Sequence, residues 1–153
     1  MTQASLNLPE ALRGALDTAL RELHQRIPAI MGCVVATVDG RLVAHIIDNE
    51  ADPQRIAAMI GSMVALGESI GRETRIDRSQ YVVVNASNGL LYAQRVPSRR
   101  ELFVVSTLAR PTTNLGLVLH ETRSAAEEIG QAVDGWLEQQ QTRLAAAAST
   151  AEA

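Results

Sequence analysis

The apolar positions of the chain follow two rhythms. Three- and four-residue steps place side chains on one face of a helix, and near-continuous β-branched runs suit strands. From Leu8 to Ile27 the step is helical, with Leu12, Leu16, Leu20 and Leu23 on one stripe, and Pro28 ends it. Asn7, Pro9 and Glu10 predict the start of this helix, with Asn7 as cap, Pro9 in the first turn and Glu10 reaching back. Ile30 to Val38 predicts a strand running into Asp39-Gly40, a dipeptide suited to a two-residue hairpin turn. Leu42 to Ile47 is its return. Both strands are apolar on both sides, so helices are expected on both faces of the sheet.

Asp52 to Arg75 predicts a second helix, begun by an Asp52 cap and Pro53. Its large apolar residues Ile56, Met59, Ile60, Met63, Leu66 and Ile70 recur at helical steps and are expected to rest on the sheet. Ala58, Gly61, Ser62, Ala65 and Ser69 project to the opposite side, where a soluble helix usually carries charge. Small side chains let two helices approach closely. The expectation is an isologous contact with the same helix of an identical chain.

Beyond Arg75 the polar segment Ile76 to Gln80 is a loop, and Tyr81 to Asn85 predicts a third strand. Ser87-Asn88-Gly89 turns it, Leu90 to Val96 returns, Pro97 to Arg100 turns again, and Glu101 to Leu108 predicts a fifth strand. Pro111 to Asn114 is a loop able to cap a last helix, whose inner face runs from Leu115 through Val118, Ile129 and Trp136 to about Gln141. On that helix Arg123 and Glu127 are spaced to pair across one turn. The order α-β-β-α-β-β-β-α, joined by hairpins, indicates an α+β fold with one antiparallel sheet between helix layers. Residues 1–7 are expected to be frayed, 8–141 to form a single domain, and the Ala-rich tail 142–153 to be a helical extension or disordered.

Composition narrows the function. At 153 residues one complete core is available. Aromatics supply 3% of the chain, which argues against a base-stacking surface, and a formal charge of -3 argues against binding along a phosphate backbone. No nucleic-acid partner is expected. All 14 Lys-or-Arg positions are Arg, scattered along the chain, which reads as compositional bias; with no Lys, Schiff-base and P-loop chemistry are excluded. A single cysteine permits no internal disulfide, and neither a signal peptide nor a membrane-spanning run is recognisable. A cytoplasmic protein is expected.

Candidate chemistry is sparse. No nucleophile elbow, Gly-rich phosphate loop, dinucleotide fingerprint or His-Glu-x-x-His occurs, so no catalytic residue and no cofactor are expected. His24, His45 and His120 fall on three different elements, and no metal site is expected. Cys33 reads as a core residue, and Asp39, Asn85, Ser87 and Asn88 as turn formers. Arg99 and Arg100 occupy a loop tip where an anionic partner could be met. Arg55, Glu68, Arg72, Glu73 and Arg75 border the small-residue side of the second helix and are the partner-binding candidates.

Three segments together resemble the roadblock/LC7 family: Val38-Asp39-Gly40-Arg41-Leu42-Val43-Ala44, the run from Ala57 to Gly67, and Leu115-Gly116-Leu117-Val118. The likeness extends over about Leu8 to Leu137. It implies a five-stranded antiparallel sheet with the middle helix on one face and the terminal helices on the other. It also implies a homodimer in which the middle helices pair and the sheets join edge to edge, giving Tyr81 and Val83 of the third strand a partner. Bacterial members of the family are similar to regulators and scaffolds of Ras-like small GTPases, including activators of hydrolysis, with a sensor-kinase system as a further possible partner. No motif assigns an arginine finger. The resemblance therefore implies a non-enzymatic dimeric adaptor. The alternative is a small-molecule sensor of the PAS or GAF kind, which requires an apolar cavity with convergent polar groups.

Overall fold

A computed structural model describes residues 7–152. The fraying expected for residues 1–7 therefore lies, apart from Asn7, outside the described residues. Helix α1 (Glu10–Arg26) packs with strands β1 (Ile30–Thr37) and β2 (Leu42–Ile47), and helix α2 (Pro53–Thr74) follows. Strands β3 (Tyr81–Ala86), β4 (Gly89–Arg95) and β5 (Phe103–Ala109) lead to helix α3 (Leu115–Ala151). The strands form one antiparallel sheet in the order β2-β1-β5-β4-β3, which leaves β2 and β3 at the edges.

Alternation along the central strands builds two cores. Val35 and Val105 face α1 and α3, where Leu16, Leu20, Phe103 and Ile129 are buried with them. Their neighbours Val34 and Val104 face α2, against Ala57, Ile60 and Val64. Successive strand residues point to opposite faces, so a run apolar at every position can bury both sides. The fold is thus the α+β sandwich expected, with α2 on one face and α1 and α3 on the other. Inside the larger core the Thr107 and Thr122 hydroxyls share a 2.7 Å hydrogen bond that ties β5 to α3.

Local capping differs from expectation at two places. Helix α1 begins after Pro9, with no side-chain cap, so neither an Asn7 cap nor a Glu10 reach-back is made. Pro9, extended at ψ 148°, is itself the boundary residue, and its carbonyl accepts from the Arg13 amide at 3.0 Å. The β1–β2 turn holds three residues rather than two. Thr37 N donates to the Arg41 carbonyl at 2.8 Å and Gly40 stands at φ +89°. A left-handed third residue is what this longer hairpin loop requires, and glycine adopts it without a Cβ clash.

The other two helix starts follow the sequence. Asp52 Oδ1 accepts from Gln54 N at 3.0 Å, with Pro53 in the first turn of α2. Asn114 Oδ1 accepts from Leu117 N at 3.3 Å at the head of α3. Helix α3 continues to Ala151, and every residue from Gln141 to Glu152 is exposed.

Candidate interaction surface

Helix α2 is rotated on the sheet relative to the expected orientation: Ala58, Ser62, Ala65 and Ser69 face outward as expected, but Gly61 and several large residues exchange sides. Ala57, Ile60, Gly61, Val64 and Gly71 are its buried residues, whereas Met59, Leu66 and Ile70 are 58%, 61% and 49% exposed. Of the large residues expected on the sheet, only Ile60 is buried there and Ile56 packs against that core, while Met63 is half-buried. The cause is close packing. A Cβ on Gly61 would lie 2.7 Å from the Gly40 Cα, so the helix seats on the β1–β2 turn only because that position lacks a side chain. Gly61, expected on the outward side, is therefore an inward residue.

The outward side carries Ala58, Ser62, Ala65 and Ser69 as one ridge, with Met59, Leu66 and Ile70 beside it. None of the exposed residues from Ala58 to Ile70 is charged. Ser62 and Ser69 turn their hydroxyls back onto the Ala58 and Ala65 carbonyls, each at 3.1 Å, which satisfies them within the helix and leaves the ridge smooth. Sequence reading by residue size missed the exposure of the large residues. A signal was present in Ala57, Ile60, Gly61, Val64 and Gly71, which also recur at helical steps and form the buried stripe.

Beside this ridge runs β3. It is an edge strand, and Tyr81 and Val84 are 44% and 45% exposed while Val83 is half-buried against the α1/α3 core. Its free backbone groups form a template for another strand. A cleft of about 500 Å³ between α2 and β3 is lined by Gly67, Ile70, Ile76 and Tyr81, and Ile76 is 74% exposed.

The charged candidates divide into two groups. Glu68 is engaged within the chain: its carboxylate accepts from Arg95 Nε at 3.1 Å and pairs with Arg78 at 3.6 Å. Arg78 in turn hydrogen-bonds Glu101, which holds the Glu101 carboxyl below the usual carboxylate range, with the nearby Arg78 and Arg95 charges acting the same way. Arg55 pairs loosely with Asp52 at 3.7 Å, and Arg72 donates to Ser69 Oγ at 3.3 Å. Those two, with Glu73 and Arg75, are exposed at the two ends of the helix. Arg75 closes α2 in the left-handed conformation at φ 58°, and Asp77 follows at φ 74°. Arg72, Arg75 and Arg78 surround a cleft of about 480 Å³ there.

The remaining candidates sit apart. Arg99 is fastened to α3, its amide donating to Asp134 at 2.9 Å and its guanidinium to Glu138 at 2.6 Å. Burial pushes the Cys33 thiol up to about 12, aided by the Asp48 charge, so it is protonated at neutral pH. His24 hydrogen-bonds Asp48 at 2.9 Å, while His45 and His120 are exposed. Among the described residues no group of three potential ligands could hold a metal ion, and no helix is long and apolar enough to cross a membrane.

No protein-family model matches the chain, and no curated protein does. Solved structures do. MglB in a tetrameric arrangement superposes at a TM-score of 0.74 with 20% identity, covering 84% of this chain and 94% of that one. MglB of Myxococcus xanthus gives a TM-score of 0.74 at 16% identity, covering 85% and 96%. A roadblock/LC7 domain from Streptomyces avermitilis gives 0.67 at 21% identity, covering 80% and 97%. The chain, with its two-cored five-stranded sheet and paired helix layers, has the roadblock/LC7 fold.

Proposed function

We propose that this protein is a cytoplasmic, non-enzymatic homodimer that binds a Ras-like small GTPase and adjusts its nucleotide cycle or its placement. The observation that carries the proposal is the uncharged outward face of α2 lying next to the open edge of β3. Two copies related by a two-fold axis would lay Ala58, Ser62, Ala65 and Ser69 against their counterparts, with Met59, Leu66 and Ile70 filling the flanks. Full burial of each such large side chain contributes about 1.5–3 kcal/mol. Joining β3 to its counterpart through Tyr81 and Val83 would supply the missing partners of the edge backbone. Gly61 has no part in this contact, because it already packs on Gly40.

The GTPase partner is supported by the resemblance to the roadblock/LC7 family, and assembly by the tetrameric arrangement in which MglB has been solved. Arg55, Arg72, Glu73 and Arg75, exposed at the ends of α2, are the residues proposed to meet the GTPase. Glu68, occupied by Arg78 and Arg95, would act by holding that end of the helix in place. A sensor-kinase partner finds no support among the similar structures. The PAS or GAF reading is not favoured: the apolar core between the sheet and α1 and α3 is filled by side chains, from Leu16 and Leu20 to Phe103 and Ile129, and the cavity at the β3–β4 end is lined largely by polar and charged groups rather than being an apolar chamber.

The test is binding of the purified protein to Ras-like GTPases encoded beside it, each loaded with GDP or a GTP analogue. The expected result is binding to one nucleotide state in preference to the other, weakened when Arg72 and Arg75 are both replaced by Ala. Absence of binding to every such GTPase in both states would overturn the proposal.

A further inference from the structure

Arg123 and Glu127 stand one turn apart on α3, the spacing at which opposite charges usually meet. They do not. Neither takes part in an ion pair among the described residues. Both instead line a cavity of about 360 Å³ where α3 parts from the β3–β4 end of the sheet, on the side away from α2. Gln80, Tyr81, Tyr92, Gln94 and Pro97 complete its wall.

The floor of this cavity is built rather than incidental. Tyr92 is 1% exposed, and its hydroxyl donates to Gln94 Oε1 at 2.7 Å. The Tyr81 ring leans on it with centroids 5.3 Å apart, closing the side towards β3. Burial raises the Tyr92 ionisation above its ordinary value, and the Arg123 guanidinium, through its charge and a hydrogen bond to the hydroxyl, pulls it the other way; the remaining guanidinium donors are left for the cavity. The phenol is therefore neutral at physiological pH and holds Gln94 in one orientation. A guanidinium, a carboxylate and an amide thus converge on a space near the lower end of the about 300–1,000 Å³ range of small-molecule sites.

We infer that this cavity binds a small zwitterion of the α-amino-acid class. Its carboxylate meets the forked donors of Arg123, a geometry that matches two oxygens at once. Its ammonium meets Glu127, and its side chain rests on Tyr81 and Pro97. A ligand carrying both charges a few ångströms apart complements the two residues together, whereas a simple anion is repelled by Glu127 and a simple cation by Arg123. The site shares no charged residue with the α2 surface, and its two charge-bearing residues lie on α3; Tyr81, at the β3 edge, is the one residue that it has in common with the proposed dimer contact.

Isothermal titration calorimetry and thermal unfolding of the full chain test the inference. The probes are glycine, L-alanine and L-glutamine, with acetate and methylammonium as half-ligands. At about 10 mM, where even a Kd of ~1 mM gives near-saturation, at least one amino acid is expected to give a saturable heat and a raised Tm. Each half-ligand is expected to bind about tenfold or more weakly. Arg123→Met and Glu127→Gln are each expected to weaken amino-acid binding by about tenfold or more, while Arg123→Lys retains part of it. Both positions are exposed, so circular dichroism of the variants should match the parent. No heat with any of the three amino acids would overturn the inference, as would acetate binding as tightly as they do. Unchanged affinity in Glu127→Gln would also overturn it, by leaving a plain anion site.

Discussion

Gly61 of α2 and Gly40 of the β1–β2 turn meet backbone to backbone: a Cβ on Gly61 would lie 2.7 Å from the Gly40 Cα and 2.8 Å from its nitrogen. Neither atom belongs to a side chain that could swing aside. This contact sets which face of α2 turns inward, and so which residues are left for a partner.

Gly61→Ala is therefore expected to destabilise the fold by about 1–3 kcal/mol, since the helix must lift or the turn must shift. Gly14→Ala is the control: a Cβ there meets nothing within 4 Å, and the same substitution in mid-helix gains about 0.5–1 kcal/mol from propensity alone. Urea unfolding of the two variants should give opposite signs. A neutral or stabilising Gly61→Ala would show that α2 is not seated as described.

The paired hydroxyls of Thr107 and Thr122 predict coupling. Each is buried and bonded to the other, so Thr107→Val or Thr122→Val alone strands a hydroxyl at a cost of about 1–3 kcal/mol. The double variant removes both polar groups and should cost less than the sum of the two by about 0.5 kcal/mol or more. Additive losses would mean that the hydroxyls act separately.

Glu101 predicts a pH dependence. Its carboxyl is held low, first by the Arg78 hydrogen bond and then by the Arg78 and Arg95 charges, so the native state favours the ionised form. Its contribution to stability is fully present above the unfolded value of about 4.3 and is lost as pH falls through the lower native value. The stability gap between the parent and Glu101→Gln should therefore be open at pH 7 and close in acid. A gap that is constant with pH would remove the ion pair as its cause.

The sequence was most legible where a local rule and the tertiary packing agree. Asp52 and Asn114 cap their helices because the side chain and the amide that it serves lie within one turn, and Val34-Val35 and Val104-Val105 show a sheet buried on both faces. It was least legible where size and packing oppose each other. Met59, Leu66 and Ile70 look like core residues by volume, yet the glycine that permits contact with the Asp39-Gly40 turn is on the other side of the helix. No periodicity of size alone distinguishes a glycine kept for an internal contact from one kept for an external contact. That Arg123 and Glu127 do not pair was likewise invisible, because Arg123 is engaged with the Tyr92 hydroxyl, which comes from a different element.

Sedimentation velocity of the parent chain and of Leu66→Arg tests the central claim most directly, because Leu66 is 61% exposed on the face assigned to the second copy. The parent at micromolar concentration should sediment with the mass of two chains, and Leu66→Arg with the mass of one and an unchanged circular dichroism spectrum. A parent that sediments as one chain, or a Leu66→Arg variant that still sediments as two, would contradict the account.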